Sequence, residues 1–230
     1  MSIVGRAARR VSREIKKRSR LRQAGRQGLV FVEPNFVYRP DLSTESVVID
    51  AGCSYEADLS VCLMRRHGVR AYGVDPTRKH GDALRALEEK SGSRFVHVPC
   101  AIAAADGVLT FHESRVNESG SLLADHVNVL NDEITSYDVE ALTLPSLVKR
   151  LALNSVDLLK LDLEGAEYEI LERATPDQLF PFRQVFVEFH HHAVSHYSER
   201  DTQRIASLIC GFGFRAFSLD DHNYLFYRAH

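Results

Sequence analysis

The sequence has no tryptophan, two methionines and four cysteines. No apolar run approaches the roughly 20 residues that a membrane-spanning helix needs, so none is expected. The cysteines, Cys53, Cys62, Cys100 and Cys210, form no CxxC pair, and the paired ligand spacing of a zinc site is missing. Each sits in or beside an apolar run, the pattern of buried free thiols in a reducing, cytoplasmic compartment. There is no low-complexity tract or internal repeat, and thirteen Gly with seven Pro in 230 residues argue against collagen-like or wholly disordered chains. What remains is one globular domain with a sizeable core, or such a domain plus a short appendage.

The formal charge of −2 conceals two opposed parts. Residues 1–26 carry ten Lys or Arg against one acid, Glu14, for a net +9, while the other 204 residues carry nineteen basic and thirty acidic side chains, for −11. A basic arm is attached to an acidic body, and the domain proper is read as residues 27–230. The body lacks the clustered positive charge of a nucleic-acid surface, so no specific nucleic-acid partner is expected. In the arm, Ile3, Val4, Ala7, Ala8, Val11 and Ile15 fall near helical spacing among Arg and Lys. That suits an amphipathic helix on anionic lipid or an Arg-rich transit peptide. The apolar face is thin and has no Phe or Trp anchor, which favours a solvated, partly ordered helix with at most a weak contact to an anionic surface.

From Val47 onward, β-branched runs alternate with helical patterns. Strands are expected at Val47–Ile49, Arg70–Val74, Phe95–Val98, Val156–Leu161 and Gln184–Phe189, and helices at Ala57–His67, Lys79–Lys90 and about Ala166–Arg173. Ser198-Glu-Arg-Asp201 reads as a capping-box helix start, with Ile205, Leu208 and Ile209 as the apolar face and Gly211 as the stop. Phe212–Ser218 and Tyr224–Tyr227 then flank Asp220-Asp-His-Asn223, a hairpin signal. The order predicts an α/β fold, a mostly parallel sheet closed by an antiparallel C-terminal hairpin. One stretch breaks the rhythm. Residues 114–139 are polar, rich in Asn, Asp and Ser, and long for a connection. A lid over a ligand and a surface loop with a short helix both fit it.

In such a sheet, ligands bind beyond the carboxyl ends of the strands. The first strand runs into Val48-Ile-Asp-Ala-Gly-Cys-Ser54, where Gly52 lets the backbone turn closely past a ligand and Asp50 presents a carboxylate beneath it. The G-x-G-x-x-G of a dinucleotide site is absent. Only Gly52 stands, and Glu56 puts negative charge where a phosphate would bind. The second strand ends in Gly73-Val-Asp-Pro76, and Asp75, 25 positions after Asp50, suits a carboxylate accepting hydrogen bonds from both ribose hydroxyls. A turn without phosphate features followed by a ribose acid predicts a nucleoside that carries a cation. S-adenosylmethionine (SAM) fits, because its amino group and sulfonium tolerate Asp50 and Glu56. The sharpest segment is Val156–Glu167, which delivers Asp162, Glu164 and Glu167 to the carboxyl edge, with Gly165 allowing the exit into the next helix. Glu167 suits a helix N-terminus; Asp162 has no such structural task.

Leu159-Lys-Leu-Asp-Leu-Glu-Gly-Ala-Glu167 resembles the signature of FkbM-type SAM-dependent methyltransferases. The resemblance extends to Val48–Gly52, Val74-Asp-Pro76, and Cys100-Ala-Ile102 followed by Asp106-Gly107, and covers roughly Val47 to Tyr227. It implies a class I methyltransferase fold, Rossmann-like with a seven-stranded, mostly parallel sheet, and transfer of the SAM methyl group, usually to a hydroxyl oxygen. By matching positions, Asp50 and Gly52 would line the methionine portion of SAM, Asp75 the ribose, and Asp162 would face the methyl-transfer centre. Ser54 and Glu56 complete the expected cofactor loop. One departure matters: the family loop usually reads G-A-N-x-G, whereas Gly52-Cys-Ser-Tyr-Glu56 lacks the second glycine.

Glu188-Phe-His-His-His192 ends the fifth strand, and alternation puts Glu188, His190 and His192 on one face, Phe189 and His191 on the other. With the Asp220–Asn223 turn at the same edge, Asp162, Glu164, Glu188, His190 and His222 are expected to converge on one cleft. A hydroxyl acceptor has a high pKa, so a base near neutrality would help remove its proton. His190 is the first choice and His222 the second, with Asp162 and Glu164 beside them. The plainer alternative is histidines hydrogen-bonded to strand-edge backbone. A divalent metal held by the same groups is chemically reasonable but has no spacing motif, so no metal is predicted and acid–base chemistry ranks above it. The expected activity is O-methylation of a hydroxyl on a small metabolite or glycan sugar. Two other readings compete: a SAM-binding module without turnover, and an arm that tethers the domain to a membrane or polyanion.

Overall fold

A computed structural model describes residues 17–228. The apolar positions from Ile3 to Ile15 in the basic arm lie outside the described residues. A helix, α1 (17–26), leads into a short hairpin, β1 (Val30–Val32) and β2 (Phe36–Tyr38). Then follow β3 (Val47–Ala51), α2 (Asp58–His67), β4 (Arg70–Val74), a 3-10 turn at Arg78–His80, α3 (Gly81–Ser91) and β5 (Phe95–Val98). The middle of the chain supplies β6 (Ala101–Ile102), β7 (Gly107–Ser114), β8 (Gly120–Ser121), α4 (Val127–Asn131), β9 (Ile134–Leu142) and α5 (Leu144–Arg150). The last third holds β10 (Leu158–Leu161), α6 (Glu167–Glu172), α7 (Pro176–Leu179), β11 (Gln184–Glu188), α8 (Glu199–Gly211), β12 (Arg215–Ser218) and β13 (Asn223–Tyr227).

Seven strands form one sheet in the order β12-β13-β11-β10-β3-β4-β5. Only β13 runs against its neighbours; the other six point the same way. This is the expected mostly parallel α/β sheet with a C-terminal antiparallel hairpin. Its central strands read as continuous apolar runs because both faces are covered. Along β3, Ile49 enters a core with Leu147, Tyr168 and Phe226, while its neighbour Val48 enters the opposite core with Leu63, Leu84 and Phe95. The helix signals hold as well. Gly68 caps α2 in the left-handed conformation, φ 71°, and Ser198 with Asp201 forms a capping box on α8, whose buried side is Thr202, Ile205, Ala206 and Ile209.

Residues 114–139 are not one loop. β7 pairs antiparallel with β9 from Gly107↔Ala141 to Ser114↔Ile134, and β8 and β6 flank them in a four-stranded sheet of order β6-β9-β7-β8. The end of the basic arm is docked on the domain: Ala24 is buried, Arg20 pairs with Asp221 at 2.6 Å and Lys17 Nζ donates to Pro34 O. The expectation of four buried thiols needs correction. Cys53 and Cys100 are buried, but Cys62 is half-buried and Cys210 is exposed, off the buried side of α8. Among the described residues, no helix is long and apolar enough to cross a membrane.

Candidate active site

The site begins where β3 ends. Gly52 has φ +77°, and a Cβ there would lie 1.8 Å from the Asp162 carbonyl oxygen, so the first loop and the exit of β10 touch backbone to backbone. The loop does without its second glycine by putting Ser54 (φ 57°) and Ala57 (φ 46°) in the left-handed region, each at a cost on the order of 1–2 kcal/mol. Bonds to the end of the neighbouring strand β4 hold it. Gly52 N donates to Val74 O at 2.8 Å, and Ser54 N donates to Asp75 Oδ2 at 2.9 Å. Asp50, buried, accepts from both N and Oγ of Ser60 through Oδ2, which ties it to α2.

Asp75 is 4% exposed at the end of β4. Its oxygens accept from Ser54 N and Thr77 N, and Oδ2 lies 3.2 Å from His80 Nδ1. Burial pushes its carboxyl up, but the His80 and Thr77 hydrogen bonds and the His80 charge outweigh that and hold it below the usual range. Ser54 Oγ and His80 Nε2 are buried without a hydrogen-bond partner in the chain.

Two adjoining cavities open beyond these strand ends. The first, about 200 Å³, is walled by Asp75, Pro76, Cys100, Ala101, Ile102 and Phe111 with others; the second, about 330 Å³, by Pro34, Asp50, Glu56, Lys160, Phe186 and Glu188 with others. Gly52, Ser54, Glu118 and Asp162 line both. A strap of residues 114–118 is tied to this edge, with Glu118 in the wall of both cavities. Tyr55 OH donates to Glu118 Oε1 at 3.1 Å, and Lys79 Nζ donates to the carbonyls of Ser114 and Asn117.

At the exit of β10, Lys160 lies among acids that sequence reasoning did not pair with it. Its Nζ is 3.1 Å from Asp162 Oδ2 and 3.4 Å from Asp50 Oδ1, and donates to Gly52 O at 3.0 Å. Burial alone would lower this ammonium's pKa; Asp162 and Asp50 raise it instead. Glu164 takes a left-handed φ of 51°, with Oε2 2.9 Å from the buried His126 Nε2. Burial works to raise its carboxyl, yet His126 and His190 hold it low. Glu167 does more than complement a helix dipole. Fully buried, it accepts from Gly165 N and from both N and Nδ1 of His190 at 2.9–3.0 Å.

The structure therefore brings Asp162, Glu164 and His190 together, with His190 Nε2 3.5 Å from Asp162 Oδ1 and 3.6 Å from Glu164 Oε2. The protonation of His190 differs from the expectation. Burial opposes its charge, but Glu167, Asp162 and Glu164 push it up to about 10, so a free base at neutral pH is not what this surrounding makes. Glu188 is the group near neutrality, its carboxyl pushed up to about 7 by burial and then by the Asp162 charge. His222 does not join the cluster. Its ring stacks on His191 at 4.5 Å and meets His192 at 5.0 Å, and it lines neither cavity. β11 stops at Glu188, and Asp220 Oδ1 accepts from the backbone N of His222 and Asn223, which fixes the turn with that ring beside His191.

A parallel sheet with a close-turning glycine loop after β3, a buried carboxylate after β4 and an acidic exit from β10 defines an α/β domain with its cavities at the strand ends, where such sheets bind ligands. The model of the methyltransferase FkbM domain matches residues 22–216. The chain belongs to the FkbM methyltransferase family. Among solved structures, the fibrillarin/Nop5p complex aligns at TM-score 0.48 with 12% identity over 84% of this chain and 77% of that one. Aeropyrum pernix fibrillarin with natively bound S-adenosyl-L-methionine aligns at 0.44 with 12% identity over 90% and 72%. The fold assignment stands on the sheet order. No curated protein is significantly similar in sequence.

Proposed function

We propose that this chain is a SAM-dependent O-methyltransferase, with the nucleoside of its cofactor in the first cavity and the acceptor hydroxyl entering through the second. The observation that carries the reading is their junction at Gly52, Ser54 and Asp162. Asp75 keeps one lone pair, on Oδ1, for a ribose hydroxyl, and Ala101 and Ile102 offer an apolar wall to a base. Ser54 Oγ and His80 Nε2, from two residues that line the first cavity, are buried without hydrogen-bond partners in the chain, a condition that a polar ligand would relieve. When bound, SAM supplies an electrophilic methyl group on a sulfonium. The chain supplies the rest: Asp50, Glu56 and Asp162 favour a cation at the junction, and the walls hold the acceptor oxygen in line and exclude water.

Asp162, which lines both cavities, orients the acceptor, with Glu164 and His190 positioning it from behind, and Glu188 in the second cavity is our choice to accept the proton. The second cavity has seven acids in its wall (Glu33, Asp50, Glu56, Asp58, Glu118, Asp162 and Glu188) against Lys160. That balance suits a neutral, hydroxylated metabolite or glycan sugar and disfavours a phosphorylated one. The strap within 114–139 acts as a lid through the Tyr55–Glu118 contact. Unpaired thiols suit a reducing compartment such as the cytoplasm, and the basic arm suits a weak contact with an anionic surface.

The test is transfer of labelled methyl from SAM to a panel of sugars and small hydroxylated metabolites. Transfer to at least one of them, lost in Asp162→Ala, is expected. Binding of SAM with no transfer to any would favour a cofactor-binding module, and no SAM binding would overturn both readings.

A further inference from the structure

We propose that Asp162, Glu164 and His190 form a site for one divalent cation of the Mn²⁺ or Mg²⁺ kind beside the junction of the two cavities. One ligand atom from each lies within 4.8 Å of the other two. His190 is 5% exposed, and its tautomer is fixed from behind: the Glu167 carboxylate, which can only accept, takes Nδ1–H at 3.0 Å. In a neutral ring this turns the Nε2 lone pair toward Asp162 Oδ1 and Glu164 Oε2. A lone pair and two carboxylates facing one another require a positive centre, either a proton on Nε2 or a metal.

The contacts behind the ring are those of a metal ligand, and they would serve a protonated ring as well, so titration with Mn²⁺ decides between the two. Metal-ligating histidines commonly give their other N–H to a carboxylate, and ligating carboxylates are themselves hydrogen-bonded. Lys160 occupies Asp162 Oδ2 and leaves Oδ1 for the site. His126 is no ligand: its Nδ1 accepts from Asn128 N at 3.2 Å, so the neutral ring carries its proton on Nε2, 2.9 Å from Glu164 Oε2. Two carboxylate oxygens and one imidazole form a hard donor set with room for further oxygen ligands, suited to Mn²⁺ over Mg²⁺ in affinity. On binding, the cation takes the place of any Nε2 proton, which leaves to solvent. The open positions would accept the acceptor's hydroxyls and acidify them; that role rests on the methyltransferase reading, but cation binding does not.

The full chain, stripped with a chelator, is titrated with Mn²⁺ and the free ion followed by EPR. One Mn²⁺ per chain is expected. His190→Gln and Glu164→Gln should each weaken binding at least ~10-fold, and Glu167→Gln by roughly 10-fold or more through the His190 ring. Glu133→Gln, an exposed acid on β7's flank of the molecule, should leave it unchanged. Circular dichroism checks each fold, and the more exposed Glu164 keeps the test decisive if a His190 variant unfolds. No bound Mn²⁺, or binding indifferent to both Glu164→Gln and His190→Gln, overturns the site. SAM titrated separately without Mn²⁺ separates the two ideas: SAM binding with no Mn²⁺ binding overturns the metal alone, and Mn²⁺ binding with no SAM binding overturns the methyltransferase reading alone.

Discussion

Replacing Gly52 with Ala should damage the molecule far more than one methyl group suggests. The left-handed φ of +77° costs an L-residue on the order of 1–2 kcal/mol. The new Cβ would also lie 1.8 Å from Asp162 O, well inside the 3.0 Å that real Cβ atoms respect. Neither side can yield freely. Gly52 N is bonded to Val74 O, Gly52 O receives the Lys160 ammonium, and Asp162 N donates to Ala51 O. Relief of the clash breaks at least one of these, at about 1 kcal/mol for a neutral bond and more for the charged one. The expected loss is about 3–5 kcal/mol, a large part of a domain's usual ~5–15 kcal/mol. Urea unfolding measures it as a lower midpoint with unchanged slope. Ala57→Gly is the companion variant. Its φ of 46° is relieved by glycine, so it should fall within about 1 kcal/mol of wild type, since unfolded-chain entropy offsets the gain. Wild-type stability in Gly52→Ala would refute the contact between the first loop and β10.

Other variants probe the same edge. Lys160→Met leaves Asp50 and Asp162 without their shared cation and should cost about 3–5 kcal/mol in denaturant unfolding; a neutral result would mean the acids are solvated. Glu167→Ala strips the acceptor from Gly165 N and His190 N in a fully buried place and should cost about 2–4 kcal/mol, read as a lower melting temperature. The lowered carboxyl of Asp75 sets a pH dependence. Its folded pKa lies below its unfolded one, so its contribution is complete above the ordinary carboxylate range and is lost as pH falls through the folded value. Stability measured down the acid limb should therefore fall less steeply in Asp75→Asn than in wild type.

Much of this fold was legible because its strands are buried on both faces. Arg70–Val74 and Phe95–Val98 stand in the structure at the bounds read from sequence, since short β-branched runs between Gly, Pro and polar punctuation leave little freedom. β7 was not foreseen. Its first four residues are exposed, and its partner β9 begins inside the polar stretch, so no local apolar pattern marks the pair. Asp50, Gly52, Asp75, Asp162 and Glu164 were expected to stand near one another and do, because topology alone gathers residues at or just past the ends of β3, β4 and β10. Lys160 was missed because it reads as an interior position of an apolar strand. His126 was missed because its partner Glu164 is distant in sequence. The state of His190 depends on three carboxylates, one of them wholly buried, and strand alternation carries no such information. His222 was placed in the cleft because its turn reaches the same edge, but the bonds from Asp220 Oδ1 fix that turn with the ring beside His191.

The central claim, that the Asp75 cavity holds the nucleoside of SAM, is tested most directly by calorimetric titration of the chain with S-adenosylhomocysteine, the demethylated product. One molecule per chain should bind, and Asp75→Asn should weaken it at least ~10-fold, because it loses an acceptor for the ribose hydroxyls. No heat of binding in wild type, or equal affinity in Asp75→Asn, would contradict the account.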